Sequence, residues 1–457
     1  MHCPNCNEHY DSGKFCPECG TKLVEREMTT AQKDVEFVVS QDTIEKNSTN
    51  GIFQIPYGVT IIKGQEWCGE ARHRVTQIRL PNTVTIIGES SFSDFENIQE
   101  LELPNSVRII GPNAFNSCEQ LLNVKFGFNV EIIDECAFLG CPIESINLPE
   151  GLEEIGDDAF FGCAVANVVI PNSVVTIGNN AFGNCSFLKS ATIGKSAKKY
   201  FSEFNPIFSS CDNLIELVVR STVAEYTGAK SLEKVTICDT VKELGKWAFS
   251  ECPNLEEVAI PDSVTKIGYG AFVKDENLKT IKLSDSITEI GEGAFSGTRL
   301  REIIMPKELS KIGRLGGDLH KLRKLDFSKV TKLKVIPEDF LGDCPKIKEL
   351  VIPIGVTTIE EEIGGENLER LFLPPTVEEI EELNQIDLQI YCFAAELEEL
   401  EPLTGGVDEN NNYHPNHLYV LPRHLDSYIG QRTAEGISEG VLTIEVMPEE
   451  YQYYYDN

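Results

Sequence analysis

The sequence predicts an elongated, mainly β repeat solenoid of about 15 coils behind a small cysteine-knuckle module, and three observations predict it. A phrase with a period of 22 or 23 residues returns along most of the chain, as in LELPNSVRIIGPNAFNSCEQL, VIPNSVVTIGNNAFGNCSFL and AIPDSVTKIGYGAFVKDENL. The chain has 457 residues, beyond the roughly 250–300 at which one compact core stops growing, so it requires several domains or an extended repeat. Four cysteines with metal-ligand spacing precede the repeats. The expected divisions are 1–23 for the knuckle module, 24–50 for a linker and N-terminal cap, 51–392 for the solenoid and 393–457 for an acidic loop and C-terminal cap.

Cys3, Cys6, Cys16 and Cys19 form two C-x-x-C knuckles in HCPNCNEHYDSGKFCPECGTKL. Two such knuckles face each other with four thiolates, the tetrahedral set that holds a structural Zn²⁺ and leaves no open position for substrate. So short a segment cannot bury enough apolar surface to fold alone, and metal binding would supply the missing free energy. The spacing resembles the small zinc ribbons at the N-termini of many bacterial proteins, with Asn7 where the knuckle often has Gly. A redox pair would need one C-x-x-C beside a βαβ pattern, and neither condition holds. Beyond the module, the apolar cluster Val35, Phe37, Val38 and Val39 reads as a strand that shields the first repeat.

Within a repeat, alternation in Leu101-Glu102-Leu103 or Val168-Val169-Ile170 sends every second side chain inward and suits a short strand. Such strands stack in parallel about 4.8 Å apart. Prolines such as Pro104, Pro171 and Pro261 end them, because proline has no N–H to give the ladder. A second apolar pair follows, as in Val107/Ile110 and Val174/Ile177, and a glycine such as Gly111, Gly156 or Gly178 is expected to supply a tight bend. Ala-Phe then closes the coil, placing Phe92, Phe115, Phe138, Phe160, Phe182, Phe208, Phe249, Phe272, Phe295 and Phe340 in its interior. Three residues after the phenylalanine, Cys118, Cys141, Cys163, Cys185, Cys211 and Cys252 are expected to stack as small buried thiols. A metal thread at that position would not tolerate the Phe95 and Asp275 found in other coils.

These phrases resemble the BspA-type leucine-rich repeats over residues 52–392. The resemblance implies a leucine-rich-repeat solenoid with a parallel concave sheet that binds protein, and it brings no catalytic residues. Residues 194–234 depart from the pattern and are expected to hold a distorted coil, and the late coils at 312–320 and 360–367 lack the phenylalanine. From 393 onward the period is lost.

A formal charge of −33 repels phosphate backbones and anionic lipid, so nucleic acid and membrane surfaces are not expected partners. No nucleotide-binding, nucleophile-elbow or zinc-protease motif appears, and an enzyme is not expected. His414, His417 and His424 lie near one another in the tail, where solvent exposure is expected. No apolar run reaches the roughly 18 residues of a membrane helix and no export signal is visible, so the expected location is cytoplasmic. The sequence thus points to an intracellular scaffold binding a protein partner through the concave face, the zinc ribbon serving as accessory docking module. An adhesin-like surface binder exported without a signal peptide and a nucleic-acid regulator using the ribbon are the alternatives. On the outward strand positions Val169, Val218, Ile304, Val351 and Phe372 are apolar where solvent is expected, and the footprint is placed on the C-terminal half of that face.

Overall fold

The structure is a computed structural model that describes residues 34–65, 69–197, 205–224, 228–383, 387–400, 403–404, 406–407, 413–435, 437–438 and 442–452. Cys3, Cys6, Cys16 and Cys19 lie outside the described residues. What is described is a mainly β parallel solenoid of about 17 turns, more than the 15 expected. The difference arises at the C-terminal end. Residues expected as a cap, Asn416–Val420 and Leu442–Val446, continue the ladder in parallel register from Gln389–Cys392.

Most coils contribute two strands, one to each of two sides. The first ladder comprises the expected strands, such as Glu100–Glu102, Asn123–Lys125 and Asn167–Val169, whose middle residue is buried and whose flanking residues face out. The second apolar pair of each repeat is itself a strand. Seven of these, from Glu36–Val38 to Thr176–Ile177, form one parallel sheet, so the coil has two hydrogen-bonded sides. At the N-terminal end the cluster around Phe37 does form a strand, pairing with Ile61–Lys63. Helix α1, Gln41–Asn47, follows it, capped by the Ser40 and Thr43 hydroxyls, and buries Ile44 against the first coil.

A column of phenylalanine rings runs through the interior. Phe92, Phe115, Phe138, Phe160 and Phe182 are fully buried and stack nearly parallel, with centroids 5.3, 5.3, 5.4 and 5.2 Å apart. Their backbones are tied across coils by bonds such as Phe115 N–H to Ala137 O at 2.8 Å. After Phe208 the column breaks. The coil between Glu216 and Lys234 is shortened to 18 residues and its sequence has no phenylalanine, and the stack resumes at Phe249 and Phe272, 5.7 Å apart. This is the distorted region expected from the sequence.

The glycine after the second strand has a different role from the expected one. At Gly156 a Cβ would stand 2.4 Å from the Glu135 backbone nitrogen of the preceding coil, so the position excludes a side chain because the coils stack too closely there. The left-handed backbone comes two residues later, at Asp158 with φ 53°.

The cysteine ladder has a structural explanation. Cys118, Cys141, Cys185 and Cys211 each donate from Sγ to the carbonyl of the repeat phenylalanine one coil back, at 3.3, 3.1, 3.4 and 3.0 Å. The corner thus needs a small side chain that carries one donor. Burial pushes the Cys163 and Cys252 thiols well above the usual range, which keeps them neutral and unlike metal-binding thiolates.

Asp275 occupies this corner in the coil after Cys252. It is fully buried, its Oδ1 accepts from the Cys252 N–H at 2.8 Å, and its Oδ2 is without a hydrogen-bond partner. Burial raises its pKa from 3.8 to about 9, so the folded chain holds a proton that the unfolded chain releases. Stability from this group is complete below pH 3.8 and declines as pH rises toward 9. Asp275→Asn, which carries its own donor, is expected to raise stability at pH 8 by about 1–3 kcal/mol and by much less at pH 4. Thermal melts across that range check it, and an unchanged pH slope would refute it.

Candidate partner-binding face

The outward side chains of the first ladder form columns, because successive strands pair in register. Val169, Thr192, Val218 and Thr236 are partners across four adjacent strands, and Ala259 continues the column on the next coil. Val169 is 59% exposed and Thr236 and Ala259 are also exposed, while Thr192 and Val218 are half-buried. Beside Val169 and Thr192 the first strand positions carry Asn167 and Ser190, and Ser190 Oγ donates to Asn167 Oδ1 at 2.7 Å, whereas beside Val218, Thr236 and Ala259 they carry Glu216, Lys234 and Glu257. The column at this one strand position is thus uncharged over five coils of a chain of formal charge −33.

Charge stands on the N-terminal side of the column and, from Glu216 onward, directly beside it. Lys125 pairs with Glu102 on the N-terminal side, and Lys234–Glu216, Lys279–Glu256 and Lys324–Glu302 pair coil to coil toward the other end. These pairs are half-exposed or more, so they set the character of the surface and add little stability. A shallow groove of about 610 Å³ lies among Glu233, Glu256, Glu257 and Lys279. Its charged, open lining differs from the concave and mostly apolar pocket that holds a small substrate.

The five expected contact residues do not form one patch. Val169 and Ile304 are exposed, at 59% and 52%, and Val218 is half-buried two strands from the first of them. Phe372 is fully buried, which corrects the expectation that it faces solvent. It stacks on Tyr391 with centroids 4.6 Å apart, and Met447, Leu421 and Phe393 complete an outer cluster against which the half-buried Val351 packs. The chain's own C-terminal segment covers this end of the face, which removes Phe372 and much of Val351 from the exposed surface and leaves Val169 and Ile304 on it. No property of the Phe372 strand alone reveals its cover, which comes from some 80 residues downstream.

The three tail histidines are not brought together. His414 faces Asp387 Oδ2 at 2.9 Å, His417 meets Thr443 Oγ1 at 2.6 Å, and His424 accepts from Arg423. Sequence reasoning missed another group, because its third member comes from the next coil. Asp318, His320 and Asp343 place ligand-type atoms within 4.8 Å of one another on an exposed corner. Asp318 lies at Nε2 and Asp343 at Nδ1, 3.3 and 3.9 Å away, so the carboxylates bracket opposite sides of the ring and do not converge on one point.

The model of the BspA-type leucine-rich repeat region matches residues 45–164, 131–229, 223–315 and 318–394. The chain belongs to this family. The leucine-rich repeats account for both the phrase and the coil. Among solved structures, a leucine-rich repeat protein from Bacteroides ovatus is similar at 24% identity, with 67% of this chain and 82% of that one covered and a TM-score of 0.48. A leucine-rich repeat protein from Eubacterium ventriosum is similar at 21% identity over 76% of this chain and 85% of that one, with a TM-score of 0.32. A leucine-rich cell surface protein from Faecalibacterium prausnitzii is similar at 20% identity over 76% and 82%, with a TM-score of 0.27. No curated protein matches the chain. Among the described residues, no helix is long and apolar enough to cross a membrane.

The burial contrast has a direct check. Phe372→Ser removes a fully buried ring and is expected to cost about 3–5 kcal/mol, as large aromatic truncations do. Ile304→Ser, on an exposed side chain, is expected to change stability by less than about 0.5 kcal/mol. Chemical denaturation of the two variants compares them, and equal losses would contradict the assignment of Ile304 to the surface.

Proposed function

We propose that this leucine-rich repeat protein is a binding scaffold that docks a protein partner on the outer face of its first ladder, centred on Val169, Val218 and the neighbouring Thr192, Thr236 and Ala259. The observation that carries this reading is the uncharged column at one outward strand position over five successive coils of a chain of formal charge −33. Fully desolvated interface centres are depleted in charge, because a charge must lose its water on docking, and their polar rims resemble the paired Lys and Glu rows on the flanks. Leucine-rich repeat proteins generally bind protein partners. Ile304 extends the footprint toward the C-terminal side.

The reading includes Cys3, Cys6, Cys16 and Cys19 as a structural Zn²⁺ site in an accessory docking module, and a cytoplasmic location. The ten cysteines among the described residues are all free thiols, which fits a reducing compartment. The purified chain is expected to carry one zinc per molecule by elemental analysis. Cys3→Ser with Cys16→Ser is expected to abolish it while leaving the solenoid's melting transition in place; a metal-free wild-type chain purified without chelator would refute the site.

The docking reading is tested by affinity capture from the native host with wild-type chain and with Val169→Glu/Thr236→Glu. The expected result is a partner captured by wild type and lost, by at least tenfold, from the charged variant at unchanged melting temperature. Equal capture by both would overturn the proposed face.

A further inference from the structure

The C-terminal end of the first ladder carries a second kind of surface. Val351, Phe372, Tyr391 and Tyr419 stand in register on adjacent parallel strands, and the last three side chains make a continuous outward stack with centroids 4.6 and 5.0 Å apart. These rings lie on the outer side of the sheet. The solenoid's own interior is closed at this end by Leu418, Val420, Tyr428 and Leu442, which belong to the main core. The rings of the outer stack form a separate cluster with Met447 and Tyr451.

What covers the stack is the short turn Glu449–Tyr451. The Tyr451 ring sits 4.7 Å from Tyr391 and 5.5 Å from Phe372 by centroid, tilted at 56° and 60°. Among the described residues the turn's backbone bonds are Tyr451 N–H to Pro448 O at 3.0 Å and Gln452 N–H to Glu449 O at 3.3 Å, and the Gln452 amide donates to Met447 O. Its described hydrogen bond to the sheet is long, from Arg370 Nη1 to the Tyr451 hydroxyl at 3.3 Å. Arg370 Nη2 is paired with Glu349 at 3.0 Å, and its Nε is buried without an acceptor. A guanidinium beside three exposed-side aromatic faces is the chemistry that recognises an acidic segment bearing an aromatic ring. The occupant has that chemistry itself: the sequence here is PEEYQYYYDN.

We propose that the Phe372–Tyr391–Tyr419 stack with Arg370 is a peptide-binding site for an acidic, tyrosine-bearing segment of a partner protein, held closed in the free chain by its own C-terminal turn. Tyr451 acts as the plug, and a partner segment gains access when the turn swings away about the residues after Met447. Such a cis occupant lowers the apparent affinity for a competing segment by the fraction of time that the site is open. The site lies beyond the uncharged strip, and its test does not depend on any partner captured there.

The probe is a fluorescein-labelled peptide of this chain's residues 447–457, followed by anisotropy against the full-length chain. Tyr451→Ala in the full chain is expected to bind it at least tenfold more tightly than wild type. Adding Tyr391→Ser to that variant is expected to remove the gain, and high salt to weaken binding through loss of the arginine contact. Tyr451→Leu, which keeps an apolar side chain on the cluster, is the milder opening variant if the alanine chain fails to fold, with a gain of at least threefold. Peptide binding that is equal in wild type and the opened variants, or absent from all, overturns the proposal. So does self-association of the opened variant that the peptide does not compete, since that would make a second copy the occupant.

Discussion

Everything in this molecule depends on stacking one coil on the next at the spacing of a β-ladder. A single unit of 22 or 23 residues cannot hide its apolar flank, so its stability comes from its neighbours. That spacing dictates the side chains at each corner. The glycine after the second strand is there because the preceding backbone passes too close for a Cβ, and the phenylalanine because flat rings about 5.3 Å apart fill a corridor of constant width. The thiol is there because a carbonyl of the previous coil needs a donor. Asp275 shows the constraint from its other side, since a carboxyl fits the corner only by keeping its proton.

The same geometry makes the surface. Because strands pair in register, side chains from distant parts of the sequence line up in columns, and a run of neutral residues at one repeat position becomes a strip across five coils. Charged positions line up equally well into rows of lysine and glutamate pairs. The pattern of a face is therefore written once per period. It suits recognition of something long and repetitive in contact, such as another protein surface, better than the enclosed chemistry of a small substrate.

Much of this was legible in the sequence, and the limits are physical. The period, the first strand, the buried phenylalanines and the disturbed coil near 194–234 could be read because each is a local pattern repeated many times. The second ladder was visible only as an apolar pair, since a two-residue strand has no alternation to detect. The glycine was recognised with the wrong reason, because its neighbour is 22 or so residues away and a sequence window shows only bends. Val169 and Ile304 were correctly placed on the surface, whereas Phe372 was not. Its strand reads like the others, and what buries it arrives from the chain's last turn, a contact with no periodic signature. The zinc ligands stand apart from this comparison, lying outside the described residues.

The interrupted phenylalanine column has a mechanical meaning. The shortened coil between Phe208 and Phe249 carries no phenylalanine, and its strand Glu216–Val219 pairs over four residues with each neighbour. In a structure whose cohesion is a chain of nearest-neighbour terms, the smallest term decides where it parts. The rings therefore add to cohesion in separate runs, Phe92 to Phe182 and Phe249 to Phe295, and the coil between them leans on its strand pairing. Pulled from its ends, the molecule would load sheet hydrogen bonds at that coil where its neighbours also have stacked rings to resist.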